Sequence, residues 1–159
     1  YVKFEEPVVD NPILEKFYHD RKRWSFPLQV FFLNRRFEHI KQAAKVDNAI
    51  LDRSIYGDVI FARMLYLSQD MSAEEFNLYE ELLNNMLEHV ARPELMIYLE
   101  CSVDEAMRRI NKRGRDYEQI VERAYWQRLN DEYSAYFSAY NLSPILRINV
   151  DHLDFEKNE

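Results

Sequence analysis

The sequence predicts an α/β fold in which a parallel sheet is flanked by helices, with helix outweighing strand. Three observations predict it. Short apolar or β-rich runs bounded by polar residues recur at 49–51, 95–99 and 145–150, as buried strands require. Long amphipathic stretches separate them, and strands joined by helical crossovers lie parallel and covered on both faces. Serine–glutamate pairs three residues apart mark the starts of two of those helices.

Taken in order, residues 1–4 are the tail of a strand. Residues 24–44 form a helix whose apolar face carries Leu28, Phe32, Leu33, Phe37 and Ile40, with Pro27 in its first turn, where the missing N–H costs nothing. Residues 49–51 are a strand, followed by a helix from near Ile55. Ser72 and Glu75 form a capping box ahead of Phe76, Leu83, Met86, Leu87 and Val90, and Ser102 with Glu105 repeats it ahead of residues 107–113. Gly114 ends that helix. Residues 117–140 supply one or two more helices before the last strand.

At 159 residues, with 47% hydrophobic and 14% aromatic side chains, the chain has enough apolar material for one core, so a single domain over 1–159 is expected. The 21 Lys and Arg against 28 Asp and Glu leave a net charge of −7, which opposes adhesion to nucleic acid or anionic membrane. A small-molecule substrate fits better than a polymer. No apolar run reaches the roughly 20 residues of a membrane span and no signal-peptide pattern opens the chain, so the expected location is the cytoplasm. Cys101, the sole cysteine, is expected to be a small buried hydrophobe, and the four histidines lack metal-ligand spacing.

Ligands of such sheets sit beyond the carboxyl ends of the strands, and four groups of residues bear on chemistry. Glu5 and Glu6 follow the opening strand, and Pro7 holds Glu6 at a turn, where a carboxylate could accept a proton from a substrate hydroxyl; a solvated strand end explains the same residues. Asp52 and Arg53 follow the second strand at once and suit Mg²⁺ or phosphate, while a local ion pair with Ser54 as helix cap is the plainer account. Gln29 and Arg36 lie seven residues apart, two helical turns, and Asp58 could join them to read the polar edge of a nucleobase; the alternative is an exposed rim. Arg108, Arg109, Lys112, Arg113 and Arg115 cluster around Gly114 and suit a polyphosphate, although one or two such cations would also serve the helix dipole.

The segments FEEPVVDNPILEKFY, RWSFPLQVFFLNRRF, LDRSIYGD and RRINKRGRDYEQ, in this order and across essentially the whole chain, resemble the deoxyribonucleoside kinase family, in particular its bacterial deoxyadenosine/deoxyguanosine kinase branch. The resemblance implies the P-loop nucleoside kinase fold and ATP-dependent phosphorylation of a deoxynucleoside 5′-hydroxyl, with ATP and Mg²⁺ as cofactors. It implies Glu6 as general base, Arg53 at the hydroxyl and the transferring phosphoryl group, and Asp52 as an organiser of Mg²⁺. Gln29, Arg36 and Asp58 match the base-reading set. Leu14 belongs to the substrate site, and Tyr18 and Glu118 match the pair that binds the sugar 3′-hydroxyl. Arg109, Arg113 and Arg115 match the arginines of the lid over the ATP phosphates. Deoxyadenosine is the expected substrate, with deoxyguanosine or deoxycytidine as alternatives, in nucleotide salvage. A homodimer is expected, or a heterodimer with a related subunit. The family's Gly-x-x-x-x-Gly-Lys-Ser/Thr loop is a departure: the two glycines, Gly57 and Gly114, cannot build it, and a βα unit of about thirty residues is expected ahead of Tyr1. A thymidylate-type monophosphate kinase and a non-catalytic partner subunit are the competing readings.

Overall fold

The computed structural model describes residues 1–8 and 10–154. The chain forms two compact units, Tyr1–Ala91 and Arg92–Glu159.

In the first unit, β1 (Val2–Phe4) pairs in parallel with β2 (Ala49–Leu51), Val2 opposite Ala49 and Phe4 opposite Leu51. Between them lie α1 (Leu14–His19) and α2 (Arg21–Ala43). A 3₁₀ turn at Ile55–Gly57 leads into α3 (Asp58–Leu67), and α4 (Ala73–Leu87) follows. Phe17, Leu28, Leu33, Ile55, Ile60, Met64, Leu65 and Tyr79 are its innermost large side chains. In the second unit, β3 (Met96–Glu100) pairs in parallel with β4 (Ile145–Asn149). Helices α5 (Val103–Arg113), α6 (Asp116–Gln119) and α7 (Arg123–Ala139) connect them. The parallel pairing expected of crossover-linked strands is present, as two two-stranded sheets.

Several local expectations change. Helix α1 is an addition: the Asn11 side-chain oxygen accepts from the backbone N–H groups of Ile13 and Leu14 at 3.0 and 3.1 Å, which starts a turn that buries Leu14 and Phe17. Helix α2 starts three residues earlier than expected, because Asp20 accepts from the Arg23 N–H and so caps it. Pro27 is therefore inside the helix, where its missing N–H leaves the Arg23 carbonyl without the usual partner. The Ser72–Glu75 capping box forms in full. At Ser102 only half of it does: the hydroxyl accepts from Glu105 N–H, but the Glu105 carboxylate is taken by Arg108 and Arg109, and the Ser102 N–H turns to Asp151. Ser54 precedes the 3₁₀ turn without a side-chain cap bond. Helix α4 ends at Leu87, so Val90 lies beyond it.

The strands are also less buried than expected. Tyr98 is buried and stacks on Phe137 at 4.3 Å, while its neighbours Ile97 and Leu99 are each 52% exposed. Alternate strand side chains point to opposite faces, and only one face of this pair is packed. Cys101, just past β3, is half-buried rather than buried. Gly114 ends α5 with φ 70°, the left-handed conformation that glycine adopts without strain.

Candidate active site

The first unit gathers its charged groups just past β1 and β2. Pro7 bars continuation of β1, so the chain turns at Glu6, whose carbonyl accepts from Val8 N–H at 2.8 Å. The side chain of Glu6 is only 26% exposed, and its Oε1 lies 2.9 Å from Arg53 Nε and 3.3 Å from Arg36 Nη2. Arg53, two residues past β2, has φ 61°. A side chain at left-handed φ costs about 1–3 kcal/mol and persists where its surroundings dictate it. Here that backbone conformation accompanies an ion pair across the ends of two parallel strands. Asp52 is exposed beside it, its N–H donating to the Phe4 carbonyl at 2.8 Å, and continues the pairing of the two strands by one bond.

Helix α2 carries Gln29 and Arg36 inward, and both are buried, at 0% and 6% exposure. The exposed-rim alternative is thereby excluded. Arg36 lies over the Phe32 ring at 4.9 Å, and its Nη1 donates to Oδ1 of Asp58, the first residue of α3, which is fully buried. The other Asp58 oxygen, Oδ2, accepts from the Tyr79 hydroxyl of α4. Burial first, and then the Asp58 charge, raise the Tyr79 phenol far above its ordinary pKa of 10.0, so it is a donor to the carboxylate. Both amide atoms of Gln29 and the Nε of Arg36 are buried with no hydrogen-bond partner among the described residues. Buried polar atoms are almost always paired, so these three present a donor–acceptor set to which a ligand's polar edge can bind. Leu14 is buried at the start of α1, and Tyr18 is half-buried near its end, its ring 5.0 Å from that of Phe17.

The second unit holds the basic cluster. The glycine turn after α5 brings Arg113 and Arg115 to Glu118 of α6. Arg113 Nη2 donates to both Glu118 oxygens at 2.8 and 2.6 Å, and Arg115 Nη1 donates at 3.2 Å. Glu118 is 4% exposed, so the guanidiniums compensate its buried charge. Arg109 is committed elsewhere: Nε donates to Glu105, and Nη2 to the carbonyls of Val150 and Leu153 at 2.6 and 3.0 Å. Arg109 and Arg113, four residues apart on α5, thus pair with separate carboxylates.

Predicted residues therefore meet in each unit: Glu6, Arg36, Arg53 and Asp58 in the first, with Gln29 buried on the same helix as Arg36, and Arg113, Arg115 and Glu118 in the second. Tyr79 is the site residue that sequence reasoning missed. It occupies a core position of α4 with Phe76 and Leu83, and a buried tyrosine hydroxyl needs a partner, which was the available signal. No group of three or more His, Cys, Asp or Glu able to hold a metal occurs among the described residues, and no described helix is long and apolar enough to cross a membrane.

Known proteins resemble the chain over nearly its whole length. The family model for deoxynucleoside kinases matches residues 1–159. The chain is 41% identical to a deoxyguanosine kinase of Lactobacillus johnsonii, over 98% of this chain and 74% of that protein. It is 40% identical to a deoxyadenosine kinase of Lactobacillus acidophilus, over 98% and 76%. Among solved structures it resembles deoxyadenosine kinase from M. mycoides with bound dATP, with a TM-score of 0.86 and 33% identity, covering 98% of this chain and 81% of that one. The same enzyme with dCMP and dCDP bound gives a TM-score of 0.89 and 32% identity, covering 98% and 80%. The sequence motifs, the P-loop nucleoside kinase fold of these neighbours and the full-length family match agree: this chain belongs to the deoxynucleoside kinase family, enzymes that transfer a phosphoryl group from a nucleotide to a deoxynucleoside.

Proposed function

We propose that the chain transfers the γ-phosphoryl group of ATP to the 5′-hydroxyl of deoxyadenosine, with deoxyguanosine or deoxycytidine as the alternative acceptor, in nucleotide salvage. The observation that carries this reading is the meeting of Glu6 with Arg53 and Arg36 beyond the ends of β1 and β2. There Glu6 takes the proton of the attacking hydroxyl, and the Arg53 guanidinium balances charge on the oxygens of the transferring group. Gln29, Arg36 and Asp58 read the base, and Leu14 contributes apolar contact to the nucleoside. Tyr18 holds the 3′-hydroxyl.

Arg113 and Arg115 exchange Glu118 for the ATP phosphates when the lid closes. Arg109, tied to Glu105 and to two carbonyls, supports the lid from its base. Mg²⁺ would neutralise charge on the phosphate oxygens. Asp52 is the residue to hold it: an exposed carboxylate beside Arg53 offers the hard oxygen ligand this ion takes, and Mg²⁺ commonly needs only one or two protein carboxylates besides water and phosphate. A cytoplasmic homodimer is the proposed working form.

Glu6→Gln tests the reading. Steady-state turnover should fall by about 10²–10⁴-fold, the usual share of a general base, while calorimetric affinity for deoxyadenosine stays within a few-fold. Turnover that survives the substitution would remove Glu6 from the mechanism.

A further inference from the structure

We propose that Tyr79 is a positioning residue for nucleobase selection: its hydroxyl holds the Asp58 carboxylate, and through it the Arg36 guanidinium, in the orientation that separates an amino from an oxo base. This rests on the reading of Gln29, Arg36 and Asp58 as the base-reading set.

Asp58 is fully buried and receives a hydrogen bond on each oxygen, Oδ1 from Arg36 and Oδ2 from Tyr79. The final torsion of an aspartate is broad and sets no plane by itself. Two donors from different helices, α2 and α4, do set one. The carboxylate in turn fixes Arg36, whose Nη2 reaches Glu6 at 3.3 Å and whose Nε, like the amide of Gln29 two turns earlier on the same helix, is buried without a hydrogen-bond partner among the described residues. Tyr79 is itself 0% exposed, so its ring is locked by packing. Burial and the neighbouring negative charge keep the phenol protonated, which makes it a donor to the Asp58 carboxylate.

Without that hydroxyl, Asp58 would keep a buried charged acceptor with no donor on one oxygen. Such a group is costly, and it recovers by rotating toward Arg36. Rotation turns Arg36 away from its present plane. The outcome erodes discrimination at the six-position of a purine.

The test compares deoxyadenosine with deoxyinosine at saturating ATP, because the two differ only in amino against oxo at that position and the N1 proton that goes with it. In Tyr79→Phe the ratio of their kcat/KM values should move toward one by about tenfold, roughly the worth of one hydrogen bond to a charged group. KM for ATP should stay unchanged. Adding Tyr79→Phe to Asp58→Asn should move the ratio no further than Asp58→Asn alone, since the effect runs through Asp58.

A lower melting temperature with an unchanged ratio would overturn the proposal and leave Tyr79 a packing residue. Should Tyr79→Phe fail to fold, Asp58→Asn alone should shift the ratio, and its failure to do so would overturn the proposal equally. The underlying assignment fails separately: a wild-type ratio near one, or an unchanged ratio in Gln29→Leu, would remove the base-reading set itself.

Discussion

Each unit of the molecule joins arginines to carboxylates, but in different surroundings. In the first unit, Asp58 and Arg36 have side chains 0% and 7% exposed, and Tyr79 closes the far side of the pair. In the second, Glu118 is equally buried, but Arg113 and Arg115, which cover it, are 48% and 31% exposed. The chemical groups are the same and the solvent access is not. A pair with both members buried has no water to replace a lost partner, so it is rigid and suits recognition. A pair whose cation reaches solvent can exchange its carboxylate for another anion at small cost, which suits a lid.

The contrast has measurable consequences. Asp58→Ala removes the buried partner of Arg36, leaves it only the longer contact to Glu6, and should lower unfolding free energy by about 3 kcal/mol, read from urea denaturation. A loss as small as that of a surface pair would mean that water reaches Arg36. Arg113→Ala should cost about 1 kcal/mol or less, because the cation is half in solvent and Arg115 still serves Glu118. Its larger effect should be a raised KM for ATP with KM for the nucleoside little changed; an equal rise in both would argue against a lid role.

The smallest effect concerns Glu105, whose pKa falls from 4.5 to about 2 through hydrogen bonds from Arg108 and then Arg109. A carboxyl depressed in the folded state adds stability above its unfolded pKa and loses it as pH falls toward the folded value. The gap in melting temperature between the wild type and Glu105→Gln should therefore be full at neutral pH, shrink below about pH 4.5 and close near pH 2. A gap independent of pH would mean that the carboxylate charge contributes nothing.

How far these features were legible beforehand depended on their range. The strand at 49–51, the capping box at Ser72 and the glycine stop at 114 were all readable, because each is encoded within a few consecutive residues. The second capping box misled for the same reason inverted: the pattern at Ser102 was right, but Arg108, Arg109 and Asp151 competed for its groups. Of the site, Glu6 and Arg53 could be singled out from their places after strands. Gln29 and Arg36 could be paired by helical spacing, yet spacing does not say which face of a helix is buried.

Local pattern, then, specified the elements, their order and the candidate chemistry, since propensity, capping and hydrophobic period act over one or two turns of chain. Folding in three dimensions decided which charges lost their water and which partner each one found. Arg36 meets Asp58 across 22 positions and Glu6 across 30, and Tyr79 meets Asp58 across 21. Nothing in the intervening residues encodes those meetings; they follow from the packing of α2, α3 and α4, which removes competing water and leaves each buried group only the partners that packing brings within reach.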